Sequence, residues 1–127
     1  MLAESHRRKS ASPRHLRQAE MALITKMVSG KPLEAAVLDR LEHALVEDMD
    51  DGGMGSIRFQ NTRKGKRCFG RQIGEATFVD ADGILVSATL NADQHDDLFE
   101  LDLWKVDDSK LRRYPTPNGI SVLDDDR

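Results

Sequence analysis

The residues of this chain whose types and spacing could do chemistry are Glu75, His95, Glu100, Asp102 and Trp104. Glu100, Asp102 and Trp104 alternate with Phe99, Leu101 and Leu103 in the run from Leu98 to Lys105. Successive residues of an extended chain face opposite ways. A strand here therefore turns an apolar side inward and presents both acids and the only tryptophan outward. Glu75 lies in a preceding extended segment and His95 in the adjoining turn. Two carboxylates in a partly apolar cleft can separate their pKa values and act as acid and base. Their oxygens also suit a hard cation. Without a ligand the same residues form the solvated face of a half-covered sheet, with Arg71 and Lys105 as cross-strand partners. The indole is what a merely solvated face leaves unexplained, because tryptophan among polar residues marks contact surfaces.

Other motifs are weaker. Asp80-Ala81-Asp82-Gly83 and Asn91-Ala92-Asp93-Gln94-His95 alternate oxygen ligands, but neither follows a calcium-loop template, and Asp/Asn-rich turns are what hairpins need. From Arg58 to Arg71 six basic residues run without an acid, flanked by Phe59 and Phe69. Basic hairpins with aromatics can meet nucleic-acid backbones, but a net charge of −3 opposes that partner. From Asp80 to Asp108 nine acids face one lysine, a pole that steers toward basic partners. Gly52-Gly53-Met54-Gly55-Ser56 lacks the ending of a phosphate loop and reads as a turn. Cys68, His43 and the serines stand in no catalytic arrangement.

The elements that must position these residues follow from periodicity. Ser12-Pro13 starts a helix over about 13–28, with Leu16, Ala19, Leu23 and Met27 on one side and Gly30 as its stop. Pro32 opens a second helix over about 32–48, whose stripe runs from Leu33 through Val37, Leu41 and Leu45 to Met49. After Asp51-Gly52-Gly53 the period changes to that of strands, over Met54–Gln60, Cys68–Val79, Ile84–Leu90 and Leu98–Val106. Short turns join them. The expectation is an α+β fold: two N-terminal helices packed on a four-stranded antiparallel meander sheet. Residues 1–11 read as a disordered tail, 12–114 as one domain and 115–127 as a flexible acidic tail.

With 127 residues, 39% hydrophobic and 32% charged, the core is modest and the surface heavily charged. One cysteine excludes an internal disulfide framework and a multi-cysteine zinc site. No secretory or membrane-spanning run is present, so a cytoplasmic protein without cofactor is expected.

Three segments carry a resemblance: Val46 to Phe59 with its Asp-Gly-Gly-Met-Gly-Ser turn, Phe69 to Asn91 with its Asp-Ala-Asp-Gly hairpin, and Leu98 to Asp107 with Glu-Leu-Asp-Leu-Trp-Lys. Over about residues 14–114 the chain resembles a family of small bacterial proteins of unknown function. The resemblance implies a shared feature formed by Gly52, Gly53, Met54, Gly55, Glu100, Asp102, Trp104 and Lys105. By analogy with toxin-neutralising proteins of this size, it implies an immunity-type inhibitor acting by occlusion. The expected binding residues are Glu100, Asp102, Trp104, Lys105, Glu75, Asp93 and His95, with Asp96 and Asp97 on the rim. The expected partner is another protein, and an exposed edge strand offers a route to a homodimer. The rival expectation is a ligand- or metal-binding domain or enzyme using Glu75, Glu100 and Asp102.

Overall fold

The computed structural model describes residues 12–123. The described chain runs β1 (Arg14–His15), α1 (Gln18–Val28), α2 (Glu34–Leu41), β2 (Leu45–Asp48), β3 (Ile57–Phe59), β4 (Phe69–Val79), β5 (Leu85–Asp93), β6 (Leu98–Lys105), a 3-10 turn at Pro117–Gly119 and β7 (Ser121–Val122). The α+β class is as expected, but among the described residues the antiparallel sheet has seven strands, ordered β1-β2-β3-β6-β5-β4-β7. Strands β4, β5 and β6 form the meander. The first expected strand, β3, does not continue that meander but pairs with β6, with Ile57 opposite Leu101 and Arg58 opposite Glu100.

The first helix starts later than its Ser-Pro signal suggests. Arg14 and His15 instead pair with Val46 and Leu45. The Arg14 guanidinium explains this, since it bonds Glu20 at 3.0 and 2.8 Å and Asp48 at 2.8 Å. Glu20 is buried and also accepts the Arg17 N–H at 2.7 Å, which satisfies an amide at the start of α1. Leu23, Ile24, Met27 and Val28 are buried along α1.

The second helix stops at Leu41, short of the expected 48. Ala44, Leu45 and Val46 satisfy a helical stripe and a strand equally well. Pairing decides between them, because Val46 opposite Phe59 buries both completely. The stretch from Pro115, expected as loose, is tied down as far as it is described. Ile120 is buried, and β7 pairs Val122 with Ala76 and Ser121 with Thr77. The expected tail at 1–11 and the end of the acidic tail lie outside the described residues.

The helices cover one face of the sheet. The core joins Leu23, Ile24 and Met27 of α1 and Val37 and Leu41 of α2 to Val46, Ile57, Phe59, Phe78, Val86, Leu90, Leu101 and Leu103. The opposite face stays open. At Gly70 a Cβ would lie 2.2 Å from the Asp93 carbonyl oxygen, so only glycine permits this close crossing of β4 and β5.

Candidate functional site: the open face of strand β6

Strand β6 puts Leu101 and Leu103 on the covered face and Glu100, Asp102 and Trp104 on the open one, as the alternation predicts, whereas Lys105, expected among the exposed cross-strand partners, also turns to the covered face. Phe99 departs from it. Asn91 pairs with Glu100 but Ala92 with Leu98, so Phe99 is the extra residue of a bulge. Leu98 takes its place in the core. Phe99 instead lies under two guanidinium groups, Arg58 at 5.2 Å and Arg67 at 4.8 Å from the ring centroid.

The register lays the open face out in rows. Arg58, Glu100 and Asn91 form one row. Asp102, Thr89 and Glu75 form the next, followed by Trp104, Ser87 and Thr77. In the last row Leu85 sits opposite Val79 and accepts the Val106 N–H at 3.0 Å. Trp104 (51% exposed), Val79 (60%), Leu85 (44%) and Val106 (41%) are exposed here, and adjacent rows bring them into one apolar patch. The parity that exposes Thr89 and Ser87 also exposes Leu85. That signal was present in the sequence, although it did not single out Leu85, Val79 or Val106.

Acids border the patch. Trp104 donates its Nε1–H to Asp108 at 2.9 Å, which fixes the indole. Asp102 takes a 3.3 Å bond from the Ser56 hydroxyl. Ser56 is itself held by the Leu103 N–H at 2.8 Å. Asp102 is exposed, but partial desolvation of its carboxyl by the surrounding chain holds it above the usual aspartate range. The Ser56 bond works against this, while Glu100 and Asp51 add like charge. Among the described residues no basic side chain pairs with Asp102. Glu100 differs, because Arg58 forms a salt bridge with it.

The remaining expected site residues are placed elsewhere. Lys105 points into the covered side and is fully buried. Its three N–H donors meet Asp80 at 2.8 Å, Asp82 at 2.7 Å and the Lys110 carbonyl at 2.9 Å. Burial pushes Asp80 up, but Lys105 and the backbone N–H groups of Arg112, Ala81 and Arg113 outweigh it and bring its pKa down to about 2. Lys105 is thus a structural cation that ties β6 to the 80–83 turn and the segment after β6. Asp93 is also internal, at 1% exposure. It binds Arg67 at 3.0 Å and accepts the N–H groups of His95 and Asp97 at 2.8 and 3.1 Å. His95 is exposed in that turn, at the opposite end of β6 from Trp104.

Asp96 and Asp97 are also engaged. Arg71 pairs with Asp96 and Arg63 with Asp97, both at 3.0 Å. The basic and acidic runs that are separate along the chain therefore meet and neutralise each other across the β5–β6 turn. Glu75 does share the open face with Asp102, but two strands away, about 10 Å by strand spacing. The carboxylate trio consequently does not converge. Among the described residues no group of three or more His, Cys, Asp or Glu side chains could hold a metal ion, and no helix is long and apolar enough to cross a membrane. On the helical side, a groove of about 770 Å³ between α1 and the Pro117–Val122 segment contains one charged side chain, Lys26. Its Nζ is bound to the Pro117 carbonyl at 3.0 Å.

A family described as a domain of unknown function, DUF6984, matches residues 13–115, which span both helices and strands β1 to β6. The chain belongs to the DUF6984 family. The match agrees in extent with the stretch that carried the resemblance. No curated protein and no solved structure matches this DUF6984 chain.

Proposed function

We propose that this DUF6984 domain is a protein-binding module whose open sheet face docks a partner with basic side chains around an apolar spot. One observation carries the reading. The indole of Trp104 stands half exposed beside Leu85, Val79 and Val106, on a face whose unpaired charge is negative. Burying such side chains against a partner is favourable, and a rigid tryptophan is the commonest anchor. Asp102, Glu75 and Asp108 at the border favour a basic partner and disfavour a second copy of the same face. Asp102 keeps a carboxylate where its ionised form is disfavoured, which is a cost to the free domain that a partner's cation would offset. An immunity-type inhibitor, bacterial and cytoplasmic, that blocks its target by occlusion is the form of this function the reading favours.

The test begins with capture from the native host. The captured protein is then purified and titrated against the full chain. Trp104→Ala should weaken binding about thirtyfold, equivalent to a hot spot of about 2 kcal/mol. Leu85→Ser should weaken it less, and added salt should slow association. Affinity indifferent to both substitutions would discard this face.

A further inference from the structure

We infer that the centre of this face is a receptor for an arginine side chain of the partner, stacked on the Trp104 indole and paired with the Asp102 carboxylate. The inference rests on the docking reading and names the residue type at its core. The molecule already fills two arrangements of this kind with its own residues. Arg58 lies 5.2 Å from the Phe99 centroid and pairs with Glu100. Arg67 lies 4.8 Å from the same centroid and pairs with Asp93 at 3.0 Å. In each, a guanidinium covers an aromatic ring while its N–H groups meet a carboxylate.

Further along β6 the same two components recur without the cation. Asp102 and Trp104 share the open face about 7 Å apart, a distance an arginine side chain spans. The indole N–H is already bound to Asp108, so the ring needs no further polar partner, and half of the residue is open to solvent and to a stacking group. Ser56 bonds one Asp102 oxygen, and no described residue donates to the other. Lysine fits less well, because its point charge neither stacks flat nor reaches a carboxylate as a fork. The patch beyond the indole, Leu85 and Val106, suits an apolar neighbour of that arginine.

Trp104 is the only tryptophan, so its emission reports the site directly. The probe is a capped Gly-Leu-Arg-Leu-Gly peptide, titrated into the full chain beside counterparts with lysine or citrulline. The expected result is a saturable emission change with the arginine peptide, half-complete on the order of a millimolar. Binding should be about tenfold weaker with lysine and absent with citrulline, which keeps the plane but not the charge. Asp102→Asn should weaken the arginine titration about fivefold without lowering the Tm. No saturable change overturns the inference. So do equal titrations with arginine and citrulline, or with the native chain and Asp102→Asn. The purified partner separates the two readings. Loss of affinity with Trp104→Ala but not with Asp102→Asn sinks the arginine receptor alone, and indifference to both sinks the docking face as well.

Discussion

At the scale of single residues, Asp102 and Lys105 sit three positions apart on one strand and meet opposite fates. Lys105 is buried and saturated with acceptors, whereas Asp102 is exposed and has no cationic partner among the described residues. The raised pKa of Asp102 has a definite sign. Its folded value lies above the unfolded 3.8. The ionised form therefore weakens the fold, absent at low pH and fully present once pH exceeds the folded value. Asp102→Asn should accordingly raise stability at pH 7 by a few tenths of a kcal/mol, solvent screening keeping the figure small. It should leave stability at pH 3 unchanged. Urea midpoints at the two pH values check this. The alternation of Leu101, Asp102, Leu103 and Trp104 was legible because parity depends only on the strand. Lys105 was not, because a lysine on the covered face requires acceptors from two distant segments that no local pattern announces. Phe99 was not, because a bulge is set by the neighbouring strand's register.

At the scale of elements, β6 is anchored at one end by the Lys105 cluster and at the other by the bulge under Arg58 and Arg67. Removing the ammonium while leaving Asp80 buried strands a charge, whereas removing both does not. Lys105→Ala should lower the Tm on the order of 10 °C, and the pair Lys105→Met with Asp80→Asn, which removes the charge but keeps an acceptor for the Ala81 and Arg113 N–H groups, should recover part of the loss. Thermal unfolding followed by circular dichroism measures both. Strands β4 to β6 were legible because each combines alternation with a turn of Asp, Gly or Asn at its end. Helix α2 was read too long because nothing between Leu41 and Asp50 stops a helix: no glycine, no proline, and an apolar run that fits either period. Strands β1 and β7, two residues each, are too short to carry any period.

At the scale of the whole molecule, charge organises the fold. Arg63, Arg67 and Arg71 meet Asp97, Asp93 and Asp96. The polarity visible along the chain is cancelled at the β5–β6 turn, leaving the open face as the acidic surface. Asp80 is one of the carboxylates held below the usual aspartate range, with Asp48, Asp82, Asp93 and Asp96, and it is the most strongly tied of them to the segment after β6. Its folded pKa of about 2 lies below the unfolded 3.8, so its contribution is complete above the unfolded value and disappears as pH falls through about 2. Asp80→Asn should therefore flatten the pH dependence of the Tm below pH 4, and a slope like the native one would show that other carboxylates govern it. The class of the fold was legible in the balance of helical and extended segments. The adjacency of β3 to β6 was not, since pairing across that separation depends on which edges remain free once β4 to β6 have formed.

The sole thiol, Cys68, is exposed just before β4, at the Asp93 end of the sheet, whereas Trp104 stands towards the other end. About 20 Å of rigid sheet separates them. A maleimide dye that absorbs at the indole's emission wavelengths would turn the native chain into a single-donor, single-acceptor molecular ruler. Fraying of the meander could then be watched in real time without altering one amino acid.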